Sequence, residues 1–361
     1  MSVKANAYGH GALQIAKKSL ELGAYCLGVA TVSEGLSLRK SGIKSPILLL
    51  SQSHQNEIQD IIKGRITPFI SDIDFASILN KQVKAARIKL PVHIKIDTGM
   101  GRVGCSVKDA VSLAKHIKKC SALKLTGTAT HLAAADSANL NDIDFTNQQL
   151  SRFKKTVTAI KAARINPGIV HAANSGGIIL HPESWLDMVR PGILLYGYKA
   201  AHEYELPFAN IKKLSKHKTL MVEPVMELIS SVVLIKKIKK GESVSYGRTW
   251  VAEKDTFIAI IPAGYADGLP RLASNKWQVI IKGEVYPLIG RVCMDQCCVD
   301  IGPKPVVQRW DEAVIFGQNI IPEDPNLPIV MQDAAALADV AGTIPYEITC
   351  GINTRVPRVY R

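Results

Sequence analysis

Residues 92–104 read VHIKIDTGMGRVG. By alternation His93, Lys95 and Asp97 share one face of an extended chain, while Ile94 and Ile96 share the other. Three polar groups facing the interior of a barrel would be costly unless paired. A strand partly open to solvent gives the same alternation, and the residues alone leave both readings open. Arg102 follows on the glycine-rich loop and offers a two-pronged donor for a carboxylate or phenolate oxygen.

Working outward, strand-like runs occur at Tyr25–Ala30, Ser45–Ser51, Arg65–Ile70, Pro91–Asp97, Lys124–His131, Gly168–Ala173 and Leu186–Arg190. The residues before Lys4 count as a clipped eighth. Helical patterns lie between them. Thr31 with Glu34 forms a capping box that opens VSEGLSLRKSG, which stops at Gly42. Phe145, Phe153, Val157 and Ile160 fall on one helical face. Eight βα units in about 190 residues predict a (β/α)8 TIM barrel, with a doubly wound open sheet as the competing α/β reading.

From about Met221 the texture changes. VMELISSVVLIKKI, TFIAIIPAGY, WQVIIKGEVYPLIGRVCMDQCCVDIG and EAVIFG are β-rich runs separated by turns, and only Met331–Ala341 reads as helix. The expected division is a barrel over residues 1–222 and a mainly β domain over 223–361. The polar stretch Tyr198–Glu223 is expected to connect them.

Composition narrows the function classes. The 361 residues are 47% hydrophobic and 21% charged, which excludes disorder, collagen and coiled coil. Lys+Arg 45 against Asp+Glu 31 gives +14, but the charge is scattered. The densest run, Lys236, Lys237, Lys239 and Lys240, ends at Gly241 and reads as a solvated turn. No helix-turn-helix, RRM or OB signature accompanies it, so no nucleic-acid partner is expected. The opening MSVKANAYGHG has no apolar core of a signal peptide, and no run is long enough to cross a bilayer. The 7 cysteines include no CxxC pair, so free thiols in a reducing cytoplasm, and no metal site, are expected. In RVCMDQCCVDIG the cysteines fit a half-buried strand.

Several candidates sit at strand ends. Lys4 ends the clipped strand, where a desolvated amine loses its proton readily and can form a Schiff base with a carbonyl cofactor. An exposed strand-end lysine is the competing reading. His131 ends TGTATHL, and IVHAANSGG brings His171 and Ser175 to the same rim. MVRPGILLYG adds Arg190 and Gly192. Small residues and backbone amides on the last two βα loops of a barrel suit a phosphate.

KANAYGHG, KIDTGMGRVG, HAANS, MVRPGILLYG, SYGRTW, GYADGLPR, RVCMDQ and IPYE followed by TRVPR together resemble, in order, the motif series of the pyridoxal-phosphate-dependent alanine racemases. The resemblance spans essentially the whole chain. It implies a homodimer whose sites lie between the barrel mouth of one subunit and the β domain of the other, with a small amino acid as substrate. Members of that family carry a further strand and helix before the lysine motif. Here Met1, Ser2 and Val3 precede Lys4, so a truncated first strand is expected.

The resemblance also assigns roles. Lys4 would bind the cofactor covalently. Tyr8, Ser175, Ile193 and Tyr346 would hold its phosphate, helped by the Gly192 backbone, and Arg190 would face the pyridine nitrogen. Tyr246 would be the catalytic tyrosine from the partner subunit, with His131 beside it. Arg102 and Met294 would meet the substrate carboxylate, with Asp295 following. Lys95 aligns with a lysine often carbamylated in this family, and Tyr265 and Arg271 with residues of the entryway. Racemisation needs bases on both faces of Cα, which Lys4 and Tyr246 supply. An always-protonated arginine at the ring nitrogen leaves that nitrogen unprotonated, and this favours reprotonation at Cα over decarboxylation. The implied function is interconversion of L- and D-alanine, supplying D-alanine for peptidoglycan. A racemase of another small amino acid such as serine, or a non-catalytic pyridoxal-phosphate-binding protein, are the alternatives.

Overall fold

The computed structural model describes residues 1–198, 222–317 and 332–361. Most of the connection expected at Tyr198–Glu223, and Met331 of the expected helix, lie outside the described residues. The chain divides into two compact units. The first holds Met1–Ala7 and Gly11–Leu195; the second holds Tyr8–His10, Tyr196–Tyr198 and the described part of Glu223–Arg361.

The first unit is a (β/α)8 barrel. Its strands are β1 (Leu27–Val29), β2 (Ile47–Leu49), β3 (Thr67–Ile70), β4 (Leu90–Asp97), β5 (Cys105–Ser106), β6 (Leu123–Ala129) and β7 (Ile169–His171). They pair in parallel in the order β1-β2-β3-β4-β6-β7, with the short β5 on the end of β4. Two irregular staves complete the ring. Gly28 N donates to Met1 O (2.7 Å), and Val3 N to Gly28 O (2.9 Å). On the other side Ser2 N donates to Pro191 O (3.0 Å), and Arg190 N to Ala173 O (3.0 Å). Met1, Ser2 and Val3 therefore close the hydrogen-bonded circuit.

The run expected at Leu186–Arg190 forms no regular strand, for local reasons. Leu186 has a left-handed backbone (φ 50), the Asp187 carboxylate takes the Val170 N–H at 2.8 Å, and Pro191 has no N–H. The outer helices follow their signals. Thr31 and Glu34 form the capping box of Val32–Lys40. The 23-residue helix Leu140–Ala162 buries Phe153, Val157 and Ile160.

The second unit is built on an antiparallel sheet. Its strands are β8 (Leu228–Ser231), β9 (Leu234–Ile238), β10 (Ser243–Val244), β11 (Trp250–Val251), β12 (Thr256–Ile261), β13 (Gln278–Ile281), β14 (Glu284–Ile289), β15 (Cys297–Gly302) and β16 (Glu312–Phe316). The order is β8-β16-β13-β14-β15-β12-β9, and β10 pairs β11. Only two residues separate β8 from β9 at opposite ends of that order, so this sheet rolls back on itself. Ile238, Val244, Ala252, Ile258 and Ile289 pack together beneath it.

Three expectations change in this unit. Lys236 and Lys237 lie on β9 rather than in a turn, and charged side chains on a strand at the end of the order discourage pairing with other chains. Cys297 and Cys298 open β15, whose burial alternates as expected, but Cys293 precedes the strand. A second helix, Pro345–Gly351, joins Ala334–Ala341. Its sequence PYEITCG has low helix propensity. It forms because Pro345 suits the first turn and because Pro345, Ile348 and Thr349 are buried. All seven cysteines are free thiols.

Candidate active site

In the barrel unit the candidates gather at the carboxyl ends of the staves. Lys4, half-buried, leads into an unusual turn in which Ala5, Asn6, Ala7 and Tyr8 are all left-handed, with φ between 50 and 54. Each such residue is disfavoured by roughly 1–2 kcal/mol, so the turn needs external holds. Glu34 supplies one: its Oε1 accepts from Ala5 N at 2.7 Å while Oε2 accepts from Ala30 N at 2.7 Å and Thr31 N at 3.2 Å. Asn6 Oδ1 accepts from Ala12 N at 2.8 Å. The capping box of the neighbouring helix thus also fixes the backbone that presents Lys4.

The loop after β4 is folded around its own carboxylate. Asp97 Oδ1 accepts from the backbone N–H of Gly99, Met100 and Gly101, and Oδ2 from that of Arg102 (2.9–3.2 Å). Burial pushes the Asp97 carboxyl up, but the four amides together outweigh it and hold it below the usual carboxylate range. Asp97 therefore belongs to the loop. The Arg102 side chain is exposed.

Behind this loop lies a concentration of positive charge. Lys95 is 6% exposed, and burial, then Arg190 and Arg102, hold its ammonium well below the usual lysine range. Burial, then Arg190, Lys95, Arg102 and Lys4, push His131 down to about 2. The half-buried Arg190 donates only to neutral acceptors: Nη1 to His171 Nδ1 (2.8 Å), and Nη2 to Thr130 O (2.8 Å), Ala172 O (2.9 Å) and His131 Nδ1 (3.3 Å). Burial lowers it to about 10. Lys4, Lys95, Arg102 and Arg190 thus all bear on His131, while the Asp97 carboxylate is occupied by its own loop. Such an arrangement favours an anionic guest.

On the next loops Ser175, 4% exposed, opens a short helix. Its Oγ accepts from Gly192 N at 3.0 Å and Leu194 N at 3.4 Å, with the fully buried Ile193 between them. A hydroxyl beside two backbone amides of one short segment suits a phosphate. Gln149 of the long helix holds this rim. Its Oε1 accepts from Ala133 N at 2.9 Å, and its Nε2 donates to His131 O at 3.1 Å.

The second unit holds the remaining candidates. Tyr246 is 71% exposed, on a turn whose neighbours Ser245 and Gly247 have φ 65 and 71. Ser245 Oγ donates to Arg291 O at 2.6 Å and pins that turn. Tyr265 N donates to Cys293 O (3.0 Å) and Ala266 N to Met294 O (3.0 Å), which ties the GYADG segment to the RVCMD loop. Tyr265 and Met294 are exposed on that loop pair, as are Asp295 and Arg271. Asp295 Oδ1 accepts from Arg355 Nη2 at 2.8 Å, and Arg355 also grips Asp267. The Tyr8 and Tyr346 rings lie 5.9 Å apart. Arg358 Nε donates to Gly9 O at 3.1 Å, and Tyr360 Oη to His10 O at 3.1 Å, so the chain's last residues hold the loop after Lys4.

Reading the sequence alone passed over Glu34's second bond, Gln149, Arg355 and Arg358. Glu34 carried a usable signal, because a capping box occupies one carboxylate oxygen and leaves the other to bind. The remaining three act over 16 to 349 positions, and no local spacing announces them.

Residues 1–200 match the family model described as alanine racemase, N-terminal domain, and residues 225–360 match alanine racemase, C-terminal domain. A protein called alanine racemase from Treponema denticola is 48% identical over 360 residues, covering 100% of this chain and 90% of that protein. One from Treponema pallidum subsp. pallidum is 41% identical over 363 residues, covering 100% and 92%. Among solved structures, the alanine racemase of Clostridium difficile superposes with a TM-score of 0.86 at 34% identity, over 98% of this chain and 86% of that one. The alanine racemase of Bartonella henselae, described with covalently bound pyridoxal phosphate, gives 0.82 at 28% identity, over 100% and 91%.

Proposed function

The chain belongs to the alanine racemase family, pyridoxal-phosphate-dependent isomerases, and from that premise we propose that it interconverts L- and D-alanine. The observation that carries this reading is the barrel mouth, where Lys4, Lys95, Arg102 and Arg190 bear on His131 and Ser175 meets the amides of Gly192 and Leu194. A phosphorylated, phenolate-bearing cofactor and a carboxylate substrate are the anions such a mouth suits.

In this proposal Lys4 would hold the cofactor through its carbonyl carbon, and Arg190 would donate to its ring nitrogen. Ser175, Gly192 and Ile193 would hold its phosphate, a role proposed for Tyr8 and Tyr346 as well. The bound cofactor supplies an electron sink that acidifies the substrate Cα. Lys4 and Tyr246 move the proton on and off Cα, each on one face. The exposure of Tyr246 suits service to a partner subunit, so a homodimer with shared sites is proposed. His131 stays neutral beside Arg190 and can pass hydrogen-bonding influence to the partner subunit's Tyr246. Arg102 and the Met294 backbone orient the substrate carboxylate, Asp295 supports that loop, and Tyr265 and Arg271 shape the approach. A cytoplasmic enzyme supplying D-alanine for peptidoglycan follows from the same reading. No described helix is long and apolar enough to cross a membrane.

The test is spectroscopic and kinetic. The protein purified with pyridoxal phosphate is expected to show the absorbance of a protonated Schiff base, lost in Lys4→Ala, and to racemise L-alanine faster than L-serine or larger amino acids. Tyr246→Phe is expected to impair Cα deuterium exchange from one enantiomer far more than from the other. An unchanged spectrum in Lys4→Ala, or no racemisation of alanine, would overturn the reading.

A further inference from the structure

The inward face of β4 carries a histidine that the reaction outlined above does not use. His93 is 7% exposed and His171 fully buried. His93 Nδ1 lies 3.0 Å from His171 Nε2, and His171 Nδ1 lies 2.8 Å from Arg190 Nη1. A guanidinium can only donate. His171 Nδ1 must therefore accept, which puts the single proton of a neutral His171 on Nε2. That N–H then points at His93 Nδ1, which must accept in turn, leaving the proton of His93 on Nε2. The three groups form a chain with one direction, from Arg190 into the barrel.

The surroundings enforce this arrangement. A Cβ on Gly127 would come within 2.4 Å of the His93 ring, so glycine there makes room for the imidazole. Phe69 lies against both rings, with centroids 6.2 Å from His93 and 6.1 Å from His171. Burial and then Arg190 push His93 down to about 4 and hold His171 well below its usual range. Neither ring therefore carries the second proton that would set donor against donor. His93 also lines a cavity of about 580 Å³ at the amino ends of the staves, together with Thr67, Thr126, Lys124 and Asp187. The far end of the chain thus meets an opening that includes polar side chains.

We propose that His93 is a positioning residue for Arg190: by accepting the His171 Nε2–H it locks His171 into the one tautomer that can receive the guanidinium. Without that acceptor, the Nε2–H of the fully buried His171 would be left unpaired, so the tautomer that receives the guanidinium would lose much of its advantage over the Nδ1–H form, which repels the arginine. Burying two imidazoles in a core otherwise lined by Leu48, Phe69 and Ala129 has this use, which an apolar pair would not serve. The inference rests on the reading that Arg190 meets the cofactor's ring nitrogen.

The experiment uses the cofactor-loaded protein labelled with ¹⁵N-histidine, in which imidazole nitrogen–proton correlations identify the protonated nitrogen. The wild type is expected to show His171 and His93 as single Nε2–H tautomers. His93→Asn keeps an acceptor oxygen near the Nδ1 position. It is expected to preserve the His171 tautomer and to hold kcat within about twofold of wild type. His93→Leu removes the acceptor; it is expected to give mixed His171 tautomers, a shifted cofactor absorbance and a kcat lowered about tenfold with KM little changed, the size of one hydrogen bond to a charged group. If His93→Leu does not fold, Gly127→Ala displaces the ring instead and is expected to disturb the same tautomer. A pure Nε2–H His171 in His93→Leu or Gly127→Ala, or equal behaviour of the Asn and Leu variants, would overturn the proposal. A wild type that shows the tautomer pattern but no racemisation would bring down the assigned function and leave the histidine chain standing.

Discussion

Arg190 in the barrel and Arg355 in the second unit each use several donors, yet their acceptors differ in charge. Arg190 meets two carbonyl oxygens and two neutral imidazoles. Arg355 grips the carboxylates of Asp267 and Asp295 at 2.8–3.0 Å. Asp267 first, and then Asp295, hold Arg355 above the ordinary arginine range, whereas burial pulls Arg190 below it. The second unit neutralises its arginine with its own residues. The barrel holds its arginine in place on neutral acceptors and leaves its charge, with that of Arg102, available. A fold tolerates such a cluster only if rigid neutral acceptors support it, and its field is then available to a bound anion.

The most severe way to break this contrast is Arg190→Met. It strands Thr130 O, Ala172 O and His171 Nδ1, and each buried acceptor left unpaired costs roughly 1–3 kcal/mol. Urea unfolding at pH 8 is expected to show a loss of about 3 kcal/mol or more, and racemisation is expected to fall on the order of 10²-fold or more. A near-neutral change in stability would mean that those acceptors find other donors, and that the arginine is not what organises them.

How much of this was legible beforehand divides along the same line. The alternation in VHIKIDTGMGRVG put His93 and Lys95 on one face of β4 and left open whether that face is buried, which the structure decides, and the strand ends carrying His131, Ser175 and Arg190 came to one barrel rim. Periodicity reports which way a side chain points, so these positions could be read. The partners of Arg190 could not, because they are backbone carbonyls and ring nitrogens set by closure of the whole barrel. The irregular stave at Leu186–Arg190 was misread for a related reason: an apolar run looks the same whether the ladder or the Asp187 side chain takes the neighbouring N–H. Helix Pro345–Gly351 escaped because packing rather than propensity forms it.

The next effect in size concerns pH. An unfolded histidine titrates near 6.5, while His93 is lowered to about 4 and His131 to about 2 in the fold. Below pH 6.5 the unfolded chain binds protons that the folded barrel excludes, so stability falls as pH drops through that window and is fully present above it. Each such histidine contributes a slope of up to about 1.4 kcal/mol per pH unit. Urea midpoints measured between pH 7.5 and pH 4.5 are expected to fall steeply, and less steeply in His93→Asn. A flat profile would place these imidazoles in contact with solvent.

A third measurement asks whether the barrel acquires an anion of its own. With burial, then Arg190 and Arg102, holding Lys95 well below the usual lysine range, its unprotonated amine is the form that can add to carbon dioxide, giving a carbamate with release of one proton, and the product would pair with Arg102. Protein equilibrated with ¹³C-bicarbonate is expected to give one slowly exchanging carbamate resonance, absent in Lys95→Arg. Losing one charge-assisted bond in that variant would lower activity about tenfold. If no resonance forms, the cationic cluster stands unrelieved until a ligand binds, and the contrast with Arg355 sharpens.

The smallest effect is expected at Arg355. Its ion pairs with Asp267 and Asp295 are open to water, where screening and side-chain entropy offset most of the attraction. Asp267 also accepts from Gly264 N at 2.9 Å, so the GYADG turn keeps a hold of its own when the arginine goes. Arg355→Ala should therefore leave the melting temperature close to wild type in physiological salt, with any difference shrinking further at about 1 M salt. The consequence would appear in kinetics, as a raised KM from looser placement of the loop that carries Met294 and Asp295. A destabilisation as large as that of Arg190→Met would show that the difference in acceptor charge is irrelevant to how these two arginines hold their units together.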